Sequence, residues 1–80
     1  MAFATFSVRA GISLLTICAE TPQDVYTAFG NTITTGTEVF SNTSLTIPFI
    51  GADFIVNVAV GDIFEIGSGN GIIGAFNSAC

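Results

Sequence analysis

The chain has 80 residues, half of them apolar and 9% charged, with a single basic residue, no histidine and a formal net charge of −5. This composition excludes intrinsic disorder, which requires low hydrophobicity and high charge, and nucleic-acid binding, which requires basic residues that neutralise phosphates. The absence of histidine excludes His-based catalysis and His-ligated zinc. The length allows one domain, residues 1–80.

The first part of the chain predicts extended structure. Residues 2–9 combine Phe, Thr and Val in a way that is typical of a strand or of an extended arm. Residues 12–19 contain the same residue types and predict a second strand. Gly11 separates the two segments and predicts the turn between them.

One helix is predicted, over residues 22–29. Thr21 is a favourable N-cap, Pro22 occupies the first helical position, and Asp24 lies in the first turn. Gly30 follows the segment and suits the left-handed conformation that ends many helices. Because an isolated helix of this length is marginally stable, we expect its apolar side chains to dock on a sheet.

The rest of the chain alternates β-branched and aromatic segments with turn residues. The predicted strands in this part are residues 32–35, 37–40, 44–50, 54–60, 63–66 and 72–76. Pro48 places its strand at an edge or a bulge, and the Gly61-Asp62 pair predicts a tight hairpin. The predicted fold is mainly β, a small barrel or sandwich of six to eight short strands with one short helix, with possible arms at residues 1–9 and 75–80.

The two cysteines, Cys18 and Cys80, are open to two interpretations. In a reducing cytoplasm both are free thiols, which is the state we expect. A disulfide would instead tie the second predicted strand to the C-terminal segment. In the chain-entropy model such a link stabilises the fold by about 4 kcal/mol.

No motif predicts reaction chemistry, so we expect no catalytic residue, no cofactor and no metal, and the protein is not expected to be an enzyme. Residues 69–74 match the pattern G-x-G-x-x-G. A dinucleotide site needs this pattern at the start of a helix, with an acidic residue about 20 positions later, and neither condition is met. Asp53, Asp62 and Glu65 form the nearest group of carboxylates, and their spacing does not resemble a calcium loop.

The apolar content exceeds what one small core can hide. A domain of this size buries only about 60–65% of the surface of its unfolded chain, so some of the eight Phe residues should face outward. We expect this surplus to be buried against copies of the chain or another partner; a compact, unusually apolar monomer is the alternative. The candidate interface residues are Phe3, Phe6, Arg9, Ile72, Ile73 and Phe76. Arg9 is expected to pair with a carboxylate, either at the surface or across a subunit interface.

Residues 58–66 (VAVGDIFEI) resemble the V-x-x-G-D hairpin of small β-barrel phage head proteins. The small, acidic chain, rich in Thr, Gly and Phe, is similar in character to the decoration (cement) proteins of tailed bacteriophage heads. The resemblance implies a β-rich subunit, often trimeric, that lies on the outer capsid surface. It also implies that the subunit clamps neighbouring copies of the major capsid protein.

The expected function is therefore that of a non-enzymatic structural protein of the virion, made in the host cytoplasm. It binds the major capsid protein or copies of itself through apolar and strand-addition contacts, with a homotrimer favoured and no nucleic acid bound. No apolar run reaches the ~20 residues of a spanning helix, so no membrane span is expected. A self-assembling filament, tube or tail subunit is the first alternative, and a small ligand-binding β-barrel is the second.

Overall fold

The computed structural model describes residues 3–80. Five antiparallel strands form one open sheet in the order β2-β1-β3-β4-β5. The strands are β1 (Phe3–Gly11), β2 (Gln23–Ala28), β3 (Phe54–Asn57), β4 (Asp62–Ile66) and β5 (Ile73–Ala79), and a 3₁₀ helix spans Ile17–Ala19. The mainly β fold is confirmed. The predicted barrel or sandwich of six to eight strands is wrong, because the described strands number five and form one open sheet.

The predicted helix at residues 22–29 is wrong, because this segment forms β2. Val25 and Thr27 are fully buried and lie on the same side of the strand, as the two-residue period requires. The whole strand pairs with residues 3–8 of β1. The capping residues gave a local helix signal, but a helix of two turns is only marginally stable. A continuous ladder with β1, together with burial of Val25, outweighs that signal.

The predicted strand at residues 12–19 is also wrong. β1 ends at Gly11, and the chain then turns into the 3₁₀ helix. Ile17 is the buried anchor of this segment, and its side chain packs against the sheet. The Arg9 guanidinium donates a hydrogen bond to the main-chain carbonyl of Glu20, which fastens the end of the segment to β1. The buried Ile17, this hydrogen bond and a disulfide at Cys18 hold the segment in place of a ladder.

Residues 29–53 form a long loop in place of the three strands predicted at residues 32–35, 37–40 and 44–50. Within this loop, backbone pairing is limited to isolated bridges, of which Phe40 makes one with Tyr26 and one with Pro48. Proline cannot donate to a ladder, and Leu45 has a left-handed φ of 57°. The loop is nevertheless anchored, because its side chains contribute to the core.

The main core lies on one side of the sheet, which we call the core face. Its buried residues are Val8, Val25, Ile33, Val39, Ala52, Ile55, Ile66 and Ile73. On the opposite face a smaller cluster places Ile17 against Val56 and Ile63. Apart from Ala52, every buried apolar side chain is Val or Ile, and none of the eight Phe residues reaches the buried class.

The hairpin predicted around Gly61-Asp62 is confirmed, with a longer turn than expected. β3 ends at Asn57, and residues 58–61 form the turn into β4. The Asn57 carbonyl accepts hydrogen bonds from the amides of Val60 and Gly61, and its side-chain oxygen accepts one from Ala59. These bonds cap the end of β3, so the apolar residues that follow leave the sheet. The final predicted strand is also present, as β5, and it begins at Ile73.

The structure joins Cys18 to Cys80 in a disulfide, with the two Cα atoms 5.8 Å apart. The expected free thiols are therefore wrong. β5 runs antiparallel to β4 as far as Ala79, and this course carries Cys80 to the 3₁₀ helix that contains Cys18. The pairing depends on the sheet order, which the spacing of the two cysteines does not encode.

Thr27 is the one polar side chain that is fully buried among residues 3–80. Its hydroxyl donates a hydrogen bond to the carbonyl oxygen of Asn31 at 3.1 Å and so ties the start of the long loop to β2. We expect Thr27→Val to lower the free energy of unfolding by about 1 kcal/mol, because the loop carbonyl loses its donor. Thr27→Ser, which keeps the hydroxyl, is the control for that bond. Urea denaturation measures both, and a Val variant as stable as the wild type would contradict the assignment.

Candidate assembly surface

The surface of the protein carries an excess of large apolar side chains. The accessible area is 4268 Å², close to the roughly 4,500 Å² expected for a compact monomer of this mass. Exposure is therefore not the result of an expanded chain. The exposed large apolar residues in the described part of the chain are Phe3, Ile12, Leu14, Leu15, Phe29, Ile47, Ile50, Val58, Val60, Ile72 and Phe76.

The turn of residues 12–15 carries the most exposed of these side chains. Leu15 is 97% exposed and Ile12 is 73% exposed, and Leu14 lies between them. The turn connects β1 to the 3₁₀ helix, so its backbone is held at both ends. A leucine in full contact with water contributes nothing to the core, which makes this turn a strong candidate for contact with a neighbour.

The candidate residues predicted near the N-terminus lie together in β1 but point to different faces. Phe3 is exposed and stacks edge-on against Tyr26, with ring centroids 5.7 Å apart. Phe6 is half-buried against the core. Arg9 binds the Glu20 carbonyl oxygen rather than a side-chain carboxylate, so the expected ion pair is not formed within the described chain. Residues 1 and 2 of the predicted arm lie outside the described residues.

The candidates near the C-terminus lie in or next to β5, an edge strand that β3 and β4 separate from β1. Phe76 is exposed and packs edge-on against Phe64, with ring centroids 5.6 Å apart. Ile72 is exposed, but Ile73 is a fully buried core residue and is unavailable to a partner. Because β3 and β4 separate the two groups, the six predicted residues do not form one patch.

Sequence reasoning missed most of the exposed apolar residues. Ile12 and Leu15 lie in a segment predicted as a strand, and Phe29 lies in the predicted helix, where it was expected to dock on the rest of the fold. Ile47 and Ile50 lie close to Pro48. The proline could have indicated their exposure, since proline disfavours a ladder and favours a surface loop. No local signal marked Leu15.

The two edges of the sheet are partly covered. Phe40 exchanges two backbone hydrogen bonds with Tyr26 of β2, and residues 36–37 exchange two with Ile73 of β5. Beyond Gly74, the outer edge of β5 has no partner among residues 3–80. The β4–β5 pairing shifts register twice, and such bulges twist an edge away from a flat template. β5 is therefore a poor site for adding a strand.

The glycine motif of residues 69–74 spans a turn and the start of β5. Residues 67–71 form a tight turn between β4 and β5, in which the Gly71 amide donates to the Gly67 carbonyl at 3.0 Å. Across residues 3–80, His, Cys, Asp and Glu side chains form no group of three that could hold a metal ion. No helix in the described chain is long and apolar enough to cross a membrane.

One cavity, of about 290 Å³, lies on the core face at the end of β3. The residues that line it are Phe6, Thr32, Ile33, Thr34, Asn57, Val60, Asp62 and Phe64. Its lining is mainly apolar, and Asp62 is its only charged residue. Pockets for small molecules usually measure about 300–1,000 Å³, so this cavity lies at the small end of that range and has room for one or two side chains.

Comparison with known proteins does not place the chain in a family. It matches no protein-family model, no curated protein and no solved structure.

Proposed function

We propose that this protein is a non-enzymatic structural subunit that decorates or cements a virus shell, and that it binds its neighbours through exposed apolar side chains and added strands. The observation that supports this proposal is the number of large apolar residues exposed on a compact surface. A shell subunit has these residues covered by the molecules around it. The partners are the major capsid protein or further copies of the chain.

The virion part of the proposal comes from the resemblance of residues 58–66 to a phage head hairpin. The corresponding hairpin joins β3 and β4, although residues 58–60 lie in its turn rather than in a strand. The disulfide between the exposed cysteines is compatible with this role, because disulfides form and persist mainly in oxidising environments. A particle released from its host meets that condition, and the outer capsid surface is the proposed location.

A self-assembling filament or tube subunit is the second candidate. The same exposed residues favour it, because a filament also buries apolar surface between copies. Electron micrographs of the purified protein separate the two functions. A filament subunit forms polymers without any other component, whereas a decoration protein forms small oligomers and binds to preformed shells.

We expect Leu15→Ser and Phe76→Ser each to weaken association by about tenfold to a hundredfold. Burial of one such side chain is worth about 1.5–3 kcal/mol, and about 1.4 kcal/mol changes a dissociation constant tenfold. Thr43→Ala, at an exposed polar position, is the matched control and should leave association unchanged. Sedimentation velocity over a range of concentrations measures the effect. A wild type that stays monomeric and binds no shell would refute the proposal.

A further inference from the structure

The β1–β2 pair extends beyond the rest of the sheet and leaves one side of β1 open. β2 pairs with residues 3–8 of β1, whereas β3 pairs only with residues 8–11. The last bond on the β3 side is donated by the Val58 amide to the Ser7 carbonyl at 3.0 Å. Beyond that bond, residues 3–6 pair with β2 on one side. On the other side, no backbone of the described chain pairs with them.

The backbone groups on this open side can be identified from the pattern of the strand. The carbonyls of Ser7 and Gly11 both accept hydrogen bonds from the β3 side. Successive residues direct their main-chain groups to opposite sides of a strand, so Thr5 and Phe3 direct theirs to the β3 side as well. In contrast to the bulged outer edge of β5, the register of this part of β1 is regular.

The cavity on the core face lies beside the same open side. Phe6 of β1 lines it, and Asp62 and Phe64 of β4 line it too, while β3 has ended at Asn57. A strand placed along residues 3–6 would direct alternate side chains to the core face. The open backbone and the cavity therefore form a single feature, which we call the strand slot: the β3-side edge of residues 3–6 and the cavity next to it.

The charge of the strand slot indicates which occupant fits it. Asp62 is its only charged residue, and the single cation of the chain, Arg9, is occupied with the Glu20 carbonyl. Arg9 pairs with Val56, a member of the cluster on the opposite face. A second copy of the chain, with a net charge of −5, would bring like charge. A segment with a basic side chain brings the complementary charge.

We infer that the strand slot receives an extended segment of a different protein, with apolar side chains in the cavity and a Lys or Arg beside Asp62. The segment adds to the sheet next to Thr5 through main-chain hydrogen bonds, as in other cases of strand addition. The inference depends on the proposed function, because the segment is one that a shell partner supplies. It narrows the partner to a chain with an extended, basic and apolar segment.

The probe is the blocked heptapeptide Thr-Val-Thr-Lys-Thr-Val-Thr, in which every second side chain faces the cavity. Its order is the same in both directions, so either orientation of the added strand is tested. The control peptide has Glu in place of Lys. ¹H–¹⁵N NMR titration and amide exchange of the full protein measure binding. We expect the Lys peptide to bind at least about tenfold more tightly than the Glu peptide. We expect the Thr5 amide to exchange at least about tenfold more slowly at saturation.

Asp62→Asn is the matched variant and should remove the preference between the two peptides. Equal binding of both peptides by the wild type, or no change at Thr5, would overturn the inference. Protection of Thr5 that rises with protein concentration alone would identify a second copy as the occupant and would also overturn it. A protein that associates with itself or with shells but binds no peptide contradicts the strand slot alone. A monomer that binds the Lys peptide supports the slot and contradicts the assembly role.

Discussion

Gly71→Ala is expected to destabilise the protein by about 3 kcal/mol. Gly71 is buried, and its φ of +68° lies in the left-handed region, where a side chain costs about 1–2 kcal/mol. A Cβ there would lie 2.7 Å from the Val39 carbonyl oxygen and 2.9 Å from the Phe49 carbonyl oxygen. Both atoms belong to the backbone of the long loop, so they cannot move away without displacing the loop. The resulting overpacking adds about 1–3 kcal/mol.

Two other glycines separate the cost of the left-handed backbone from the cost of the steric overlap. Gly51 has a φ of +90° with nothing within 4 Å of its Cβ position, so Gly51→Ala should show the backbone cost alone, about 1–2 kcal/mol. Gly69 has open space and no positive φ, so Gly69→Ala should change stability by less than about 0.5 kcal/mol. Urea denaturation of the three variants measures the differences. Equal stabilities for Gly71→Ala and Gly69→Ala would show that the loop does not pack on Gly71.

Reduction of the Cys18–Cys80 disulfide should lower the free energy of unfolding by about 4 kcal/mol. The two cysteines are 62 residues apart, so the bond closes a loop over most of the chain and removes much of the entropy of the unfolded state. A domain of this size gains only ~3–5 kcal/mol from its core. Loss of the disulfide should therefore remove about half of the total stability and lower the urea midpoint in proportion.

The variant with both cysteines replaced by serine tests the same bond without reductant. It should unfold at the same urea concentration whether or not reductant is present, and at the same concentration as the reduced wild type. Thiol titration of the oxidised native protein should find no reactive thiol. Two titratable thiols in the oxidised protein, or a wild type whose stability does not change when reductant is added, would contradict the disulfide.

The sequence predicted the strands whose signals are local. Residues 54–57 and 63–66 lie in strands because apolar and β-branched runs meet at a Gly-Asp turn. β2 could not be predicted in the same way. The residues that flank it are types that favour helix caps. It forms a strand because it pairs with residues 3–8, and no local pattern encodes that contact. The loop of residues 29–53 shows the same limit, because its course depends on where the sheet offers space.

The sequence predicted that apolar side chains would be exposed, but it did not predict which residues they are. The composition predicted that some apolar side chains would remain outside the core. In the structure, no Phe side chain is fully buried. Which residues are exposed depends on the chain path. Ile73 is buried because its side chain packs in the main core, and Leu15 is exposed because residues 12–16 turn into the 3₁₀ helix and do not form the strand predicted there. Neither event follows from residue type.

Neighbouring molecules should cover the apolar side chains that the core cannot hold. Hydroxyl-radical footprinting of the native assembly, compared with the same protein diluted to the monomer, measures this cover at single residues. We expect Leu15 and Phe76 to be oxidised several-fold more slowly in the assembly, while exposed Thr43 reacts equally in both. Equal oxidation rates of Leu15 and Phe76 in the two states would contradict the claim.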